Sequence, residues 1–247
     1  MQQPQGSAKG KRSDKNGGAK APTHASKTRL PPLVAWQFVK LGNAAYARSQ
    51  RQQAGHGPKK AGGRNVTKTH HGTTAGTAKH AAPLPPRPAG ANKYVCAVIT
   101  CADVDCDIPA LLGLARTDIL ELRLAGPFVN AEAVALLDRT IKKYSTSLVL
   151  VLSHHKCESL RTRTKGADDA LDRRLVAVRN LARGQRRTAH EAIGPQQREL
   201  LLASSRMMRN LVKRDRLRVI PGVIDTTTGT VRWLQRRAQE LPLSPVK

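Results

Sequence analysis

The seven residues Ser147–Ser153 (SLVLVLS) carry no charge and show no alternation of polar with apolar positions. A strand with one wet face alternates, whereas an unbroken apolar strand has to be covered on both faces. Helices packed on either side of a parallel sheet provide that cover. Tyr94–Thr100 (YVCAVIT) reads as a second buried strand and Ile119–Leu124 (ILELRL) as a third. Ala131–Tyr144 has helical spacing through Val134, Leu137 and Ile141, with Asn130 placed as an N-cap. Helices are also predicted over 168–184 and 196–214, then a strand over Leu217–Ile224, a turn at Thr228-Gly229 and a returning strand Thr230–Leu234. This pattern predicts an α/β fold: a mostly parallel β-sheet flanked by helices, with an antiparallel C-terminal edge hairpin.

The core-forming residues are confined to part of the chain. Residues 1–92 hold 16 of the 43 Lys and Arg but one of the 17 acids, Asp14. A chain so rich in Gly, Pro, Ser, Thr and Lys buries too little apolar surface to offset its ordering entropy. The organisation expected is a basic disordered tail over 1–28, an N-terminal helix packing on the core over 29–49, a basic low-complexity linker over 50–92, an α/β domain over 93–235 and a C-terminal tail over 236–247. In the first helix Trp36, Val39 and Tyr46 share a face, and Gly42-Asn43 is expected to interrupt it.

The net charge of +26 points to a polyanionic partner. Long basic extensions on a compact domain are also typical of ribosomal and other ribonucleoprotein subunits, whose tails order along RNA phosphates. The candidate RNA contacts are Lys9, Lys11, Arg12, Lys15, Lys20, Lys59, Lys60, Arg64, Arg183, Arg186 and Arg187. Aromatic residues make up only 3%, too few for a base-stacking platform. No stretch of apolar residues is long enough to span a membrane, and the N-terminus lacks the apolar core of a secretory signal. The expected location is intracellular, in the cytoplasm or an organelle such as the mitochondrion.

The residues able to carry chemistry sit where two strands end. One ends in Cys101-Ala102-Asp103 and the other in His154-His155-Lys156-Cys157. Functional groups collect at the carboxyl ends of parallel strands. Two neighbouring ends would join Cys101, His154 and Cys157, a good zinc set that leaves a fourth position for water. Spacing alone leaves core packing open as the alternative, because buried free cysteines are common. Cys96 reads as core, Cys106 as a spare thiol and His155 as an exposed loop histidine. His70, His71 and His80 read as solvated linker, Asp168, Asp169 and Asp172 as first-turn helix charges, and Met207-Met208 as core.

The segment Cys101–Cys157 resembles the core of the β-class carbonic anhydrases. Their first ligand motif, C-x-D-x-R, stands here as Cys101-Ala102-Asp103-Val104-Asp105. A stretch like their R-N-A-G stands as Arg123-Leu124-Ala125-Gly126, and their G-H-x-x-C-G as Ser153-His154-His155-Lys156-Cys157-Glu158. The C-terminal hairpin from Leu217 and the early helix with Gly42-Asn43 and Tyr46 are similar too, so the likeness covers about 30–48 and 93–235. It implies zinc on Cys101, His154 and Cys157, Asp103 as the catalytic carboxylate that orients the bound water, reversible hydration of CO2, and a homo-oligomer. Asp105 replaces the arginine that pairs with the family's aspartate, which leaves Asp103 freer to swing onto the metal. Ser153, Glu158 and Leu124 are further departures. Two expectations follow: a zinc-dependent carbonic anhydrase, or a catalytically impaired fold retained as a structural RNA-binding subunit.

Overall fold

A computed structural model describes residues 29–55, 93–161 and 170–234. Its centre is a five-stranded sheet in the order β2-β1-β3-β4-β5. The strands are β1 (Cys96–Cys101), β2 (Ile119–Leu124), β3 (Leu148–His154), β4 (Arg218–Asp225) and β5 (Thr230–Trp233). The first four run parallel, and β5 returns antiparallel on β4. β1 and β3 are buried along their whole length, as their apolar runs require. Each strand lies within a residue or two of the segment read from sequence.

Chain order makes β1 and β3 the decisive pair. From β1 the chain steps outward to β2, then crosses back over β1 through helix α3 (Ala131–Tyr144) to lay down β3. The direction of winding therefore reverses between β1 and β3. Their carboxyl ends open a crevice at that reversal, the preferred ligand position of open α/β sheets. Asn130 caps α3 by accepting from the Ala133 amide at 2.8 Å.

Two hydrophobic layers cover the sheet. One face packs Val98, Leu150, Leu152 and Ile220 against helix α1 (Pro32–Gly55) and the short α2 (Ile108–Leu111). The other packs Ile99, Val149, Val151 and Val219 against α3 and helices α6 (Ala189–Ser204) and α7 (Arg206–Lys213). A third cluster lies around the crevice, where α4 (Glu158–Arg161) and α5 (Ala170–Gly184) close on Cys101 and Cys157.

Two helices differ from the sequence reading. α1 runs unbroken through Gly42-Asn43 and reaches Gly55, into the stretch read as low complexity. Gly42 is there for contact: a Cβ would lie 2.0 Å from the Leu112 carbonyl oxygen. Asn43 is buried and fully used. Its amide donates to the carbonyls of Leu111 at 3.1 Å and Gly229 at 2.9 Å, and its Oδ1 accepts from the Val231 amide at 2.9 Å. The second difference is the predicted helix 196–214, which is two helices. α6 begins at Ala189 behind a Thr188–Glu191 capping box, and Pro195 sits inside it. The break comes at Ser205, whose Oγ accepts from the Met208 amide to cap α7 and donates to Asp138.

Candidate metal centre

β1 delivers Cys101 to the crevice, and the loop after it is fixed from β2. The Arg123 guanidinium donates to the carbonyls of Val104 and Cys106, both at 2.9 Å. β3 delivers His154. The chain then turns through Lys156 in the left-handed region, at φ 58, and returns Cys157 to the crevice before α4 starts. A non-glycine residue there costs about 1–2 kcal/mol, a local strain of the kind that collects at functional sites.

Cys101 Sγ, Asp103 Oδ, His154 N and Cys157 Sγ all lie within 4.8 Å of one another. Cys101, Cys157 and His154 are buried. The sulfurs stand 3.5 Å apart, and His154 Nε2 is 2.8 Å from Asp103 Oδ1, which is itself 3.7 Å from Cys157 Sγ. Two sulfurs on one tetrahedral zinc, each ~2.3 Å from it, stand about 3.8 Å apart, so the donor set fits that ion. His154 Nδ1 lies 3.0 Å from the His155 carbonyl oxygen, which only accepts, so Nδ1 carries a proton; Nε2, which donates to Asp103 in the metal-free site, is the nitrogen turned to the metal position.

The immediate surroundings favour thiolate at Cys101. Its sulfur accepts from the Gly126 amide at 3.1 Å and lies 3.4 Å from Ser159 Oγ. Gly126 has φ +70, and a Cβ on it would meet the Phe128 ring at 2.8 Å, so glycine is needed for that amide to point at the sulfur. The Cys157 thiol holds Cys101 down to about 5, against the opposing effect of burial and with help from His154 and Ser159. Cys157 is pushed up by hydrogen bonding to that thiolate and by burial. Burial works to raise Asp103, but its interactions with the Cys101–Cys157 pair, His154 and the Ser159 amide outweigh it and hold the carboxyl at about 2. Burial lowers His154, yet its bonds to Cys101 and Asp103 raise it overall.

Asp103 has found partners other than an arginine. Its Oδ2 accepts from the backbone amides of Glu158 at 2.6 Å and Ser159 at 3.3 Å, the first residues of α4. Asp105 is exposed and makes no bond to Asp103 among the described residues. Glu158 begins α4 with its side chain outward, 2.6 Å from Arg161. Ser153 is buried, and its Oγ donates to the His190 carbonyl at 2.6 Å, tying β3 to α6. The two amides on Asp103 were not anticipated, since they belong to the backbone and no side-chain motif announces them.

The remaining candidates lie elsewhere. Cys96 and Met208 are buried in the core layers, and Cys106 is half-buried beside α1 and α2. His155 is exposed, with its ring 5.7 Å from that of His190. Arg183, Arg186 and Arg187 are exposed at the end of α5 and beyond it. Lys9, Lys11, Arg12, Lys15, Lys20, Lys59, Lys60 and Arg64 lie outside the described residues, as do His70, His71, His80, Asp168 and Asp169. No helix among the described residues is long and apolar enough to cross a membrane.

The sequence model of the carbonic anhydrase family matches residues 96–231, more than half of the chain. Solved β-carbonic anhydrases share the fold. CafD of Aspergillus fumigatus is 19% identical, with a TM-score of 0.50 over 57% of this chain and 88% of its own. The β-carbonic anhydrase CcaA is 15% identical, with a TM-score of 0.51 over 58% of this chain and 81% of its own. No curated protein is a significant match. The chain belongs to the β-carbonic anhydrase family. Neither the family nor the fold lends support to an RNA partner.

Proposed function

We propose that this chain binds one zinc ion through Cys101, His154 and Cys157, with Asp103 as the fourth donor, and that its reaction is the reversible hydration of CO2, restrained by Asp103. The observation that carries this reading is the position of the Asp103 carboxylate. One oxygen lies among the ligand atoms, and the other is held by two backbone amides. Zinc with an open position supplies Lewis acidity that makes water a nucleophile near neutral pH.

The chain's own groups prepare the site. The His155 carbonyl fixes the His154 tautomer, and the Gly126 amide and Ser159 hydroxyl support thiolate at Cys101. Phe128 and Leu160 form an apolar wall beside both sulfurs, suited to an uncharged gas. Asp103 decides access. No arginine draws its carboxylate aside, so hydration is slow in the chain as it stands. A homo-oligomer is proposed from the family resemblance alone, and sedimentation velocity tests it.

The function is tested by stopped-flow CO2 hydration on zinc-quantified protein, with Cys157→Ala as the blank. The expected result is a rate above that blank that rises at least about tenfold in Asp105→Arg, as the new guanidinium competes for Asp103. Rates equal to the blank in both proteins, at full zinc occupancy, overturn the enzymatic reading and leave zinc as structure.

A further inference from the structure

A second concave site lies apart from the metal centre and shares no residue with it. α1 and the edge strand β5 enclose a cleft of about 520 Å³. α1 contributes Lys40, Ala44, Ala47, Arg48 and Arg51, and β5 contributes Trp233. The spacing of these α1 positions puts them along one side of the helix. Ala44 and Ala47 are the small residues between the cations, and they leave the hollow that longer side chains would fill.

The cations of this cleft have no acidic counterpart among the described residues; Lys40 Nζ lies 5.3 Å from the centre of the Trp36 ring. α1 has no Asp or Glu in its 24 residues. No carboxylate pairs with Lys40, Arg48 or Arg51 among the described residues. Elsewhere on the domain Arg116, Arg123, Arg161 and Arg218 each meet an acid, at 3.1, 2.6, 2.6 and 3.6 Å. Arg51 Nε donates back to the Ala47 carbonyl at 3.2 Å, and that bond leaves its two terminal NH2 groups unspent. Along the axis Arg48 and Arg51 are about 4.5 Å apart, close enough for both forks to grip one group, and Lys40 lies about 12 Å from Arg48.

We propose that this cleft binds an organic phosphate of nucleotide size, with its phosphoryl oxygens on Arg48 and Arg51, its ring or carbon part against Trp233, and any second anionic group towards Lys40. Two guanidinium forks offer more donors than one planar carboxylate accepts, whereas tetrahedral phosphoryl oxygens satisfy both. The volume is that of a drug-sized ligand, well above a bare ion. This inference does not rest on the zinc reading.

The molecule carries its own reporter. The chain has two tryptophans, Trp36 and Trp233, and they touch edge-to-face with centroids 4.6 Å apart at this cleft. The full-length, zinc-quantified protein is titrated with ATP, and tryptophan fluorescence is followed. A saturable change is expected, absent with adenosine. Half-saturation should move at least about tenfold higher in Arg48→Ala/Arg51→Ala, with zinc content and melting temperature unchanged. Arg48→Lys/Arg51→Lys keeps the charge, removes the forks and should fall between the two. The basic residues outside the cleft are common to all three proteins, so their general attraction for anions cancels. No saturation up to about 10 mM ATP, a range that would register even millimolar affinity, or equal half-saturation in wild type and the double alanine variant, overturns the proposal. So does a single-stranded RNA oligomer that depends on the two arginines where ATP does not bind, because the occupant would then be a polynucleotide.

Discussion

The metal centre and the α1–β5 cleft belong to one sheet but treat their polar groups in opposite ways. At the crevice between β1 and β3 every donor meets an acceptor from the same chain: Asp103 on two amides and an imidazole, His154 on a carbonyl, Cys101 on an amide. At the cleft, Lys40, Arg48 and Arg51 line a hollow with no carboxylate on them among the described residues. The first arrangement suits an ion the protein must hold by itself. The second leaves its electrostatic complement to come from outside. Burial explains the contrast, since an unmatched charge inside the crevice would be prohibitive, whereas exposed cations on a helix stay hydrated at little cost.

The sharpest way to separate the two regions is to remove a ligand. Cys157→Ala should weaken zinc binding by well over 100-fold, more than loss of a supporting hydrogen bond to a ligand costs. Competitive titration with a chromophoric chelator reads this, and the fluorescence response to ATP should not change. If ATP binding falls with it, the two sites are coupled and the contrast is wrong.

Acidification should act on the first region more than the second. Cys157 and His154 both titrate above their ordinary values without metal, so each is wholly or partly protonated at neutral pH and must give up that proton to a metal. Cys101 is held below its ordinary value by its bond from Cys157, so of the two thiols it gives up the smaller share. Zinc affinity should therefore fall by about one to two log units between pH 7 and pH 6. A flat profile over that range would mean that neither group carries a proton in the free site.

The smallest effect belongs to Asn43, where α1 is tied to β5. Asn43→Leu leaves the carbonyls of Leu111 and Gly229 and the amide of Val231 without their partner. The expected loss is about 1–3 kcal/mol of stability in a chemical denaturation curve. Zinc affinity should stay as it was. An unchanged curve would show that α1 is held by its apolar face alone.

Much of this molecule can be read before folding it. The uncharged runs Tyr94–Thr100 and Ser147–Ser153 foretold two buried parallel strands, and the residues closing those runs foretold where chemistry gathers. The resemblance in motif order, rather than spacing, singled out a zinc set. Part of what escaped depended on a distant contact: Gly42 reads as a helix breaker until Leu112 is seen against it. The early start of α6 had a local signal, the Thr188–Glu191 capping box, but Gly194-Pro195 reads as the more obvious boundary for a helix starting at 196. The loss of the arginine after Asp103 was visible, but the amides that replaced it were not. Lys40, Arg48 and Arg51 were plain in the sequence too. Their meaning was not, because a helix expected to end at Ser49 separates Arg51 from the others.

Asn43 has one more effect. Among the described residues β5 is the last strand on its side, and the outward edge of such a strand is a template on which another chain can add. The Asn43 side chain occupies the Val231 amide and the Gly229 carbonyl at the start of that edge. An incoming strand would find the first hydrogen-bonding places taken and α1 in its path. The single amide side chain thus takes up, at the start of β5, the hydrogen-bonding places that an added strand would otherwise use.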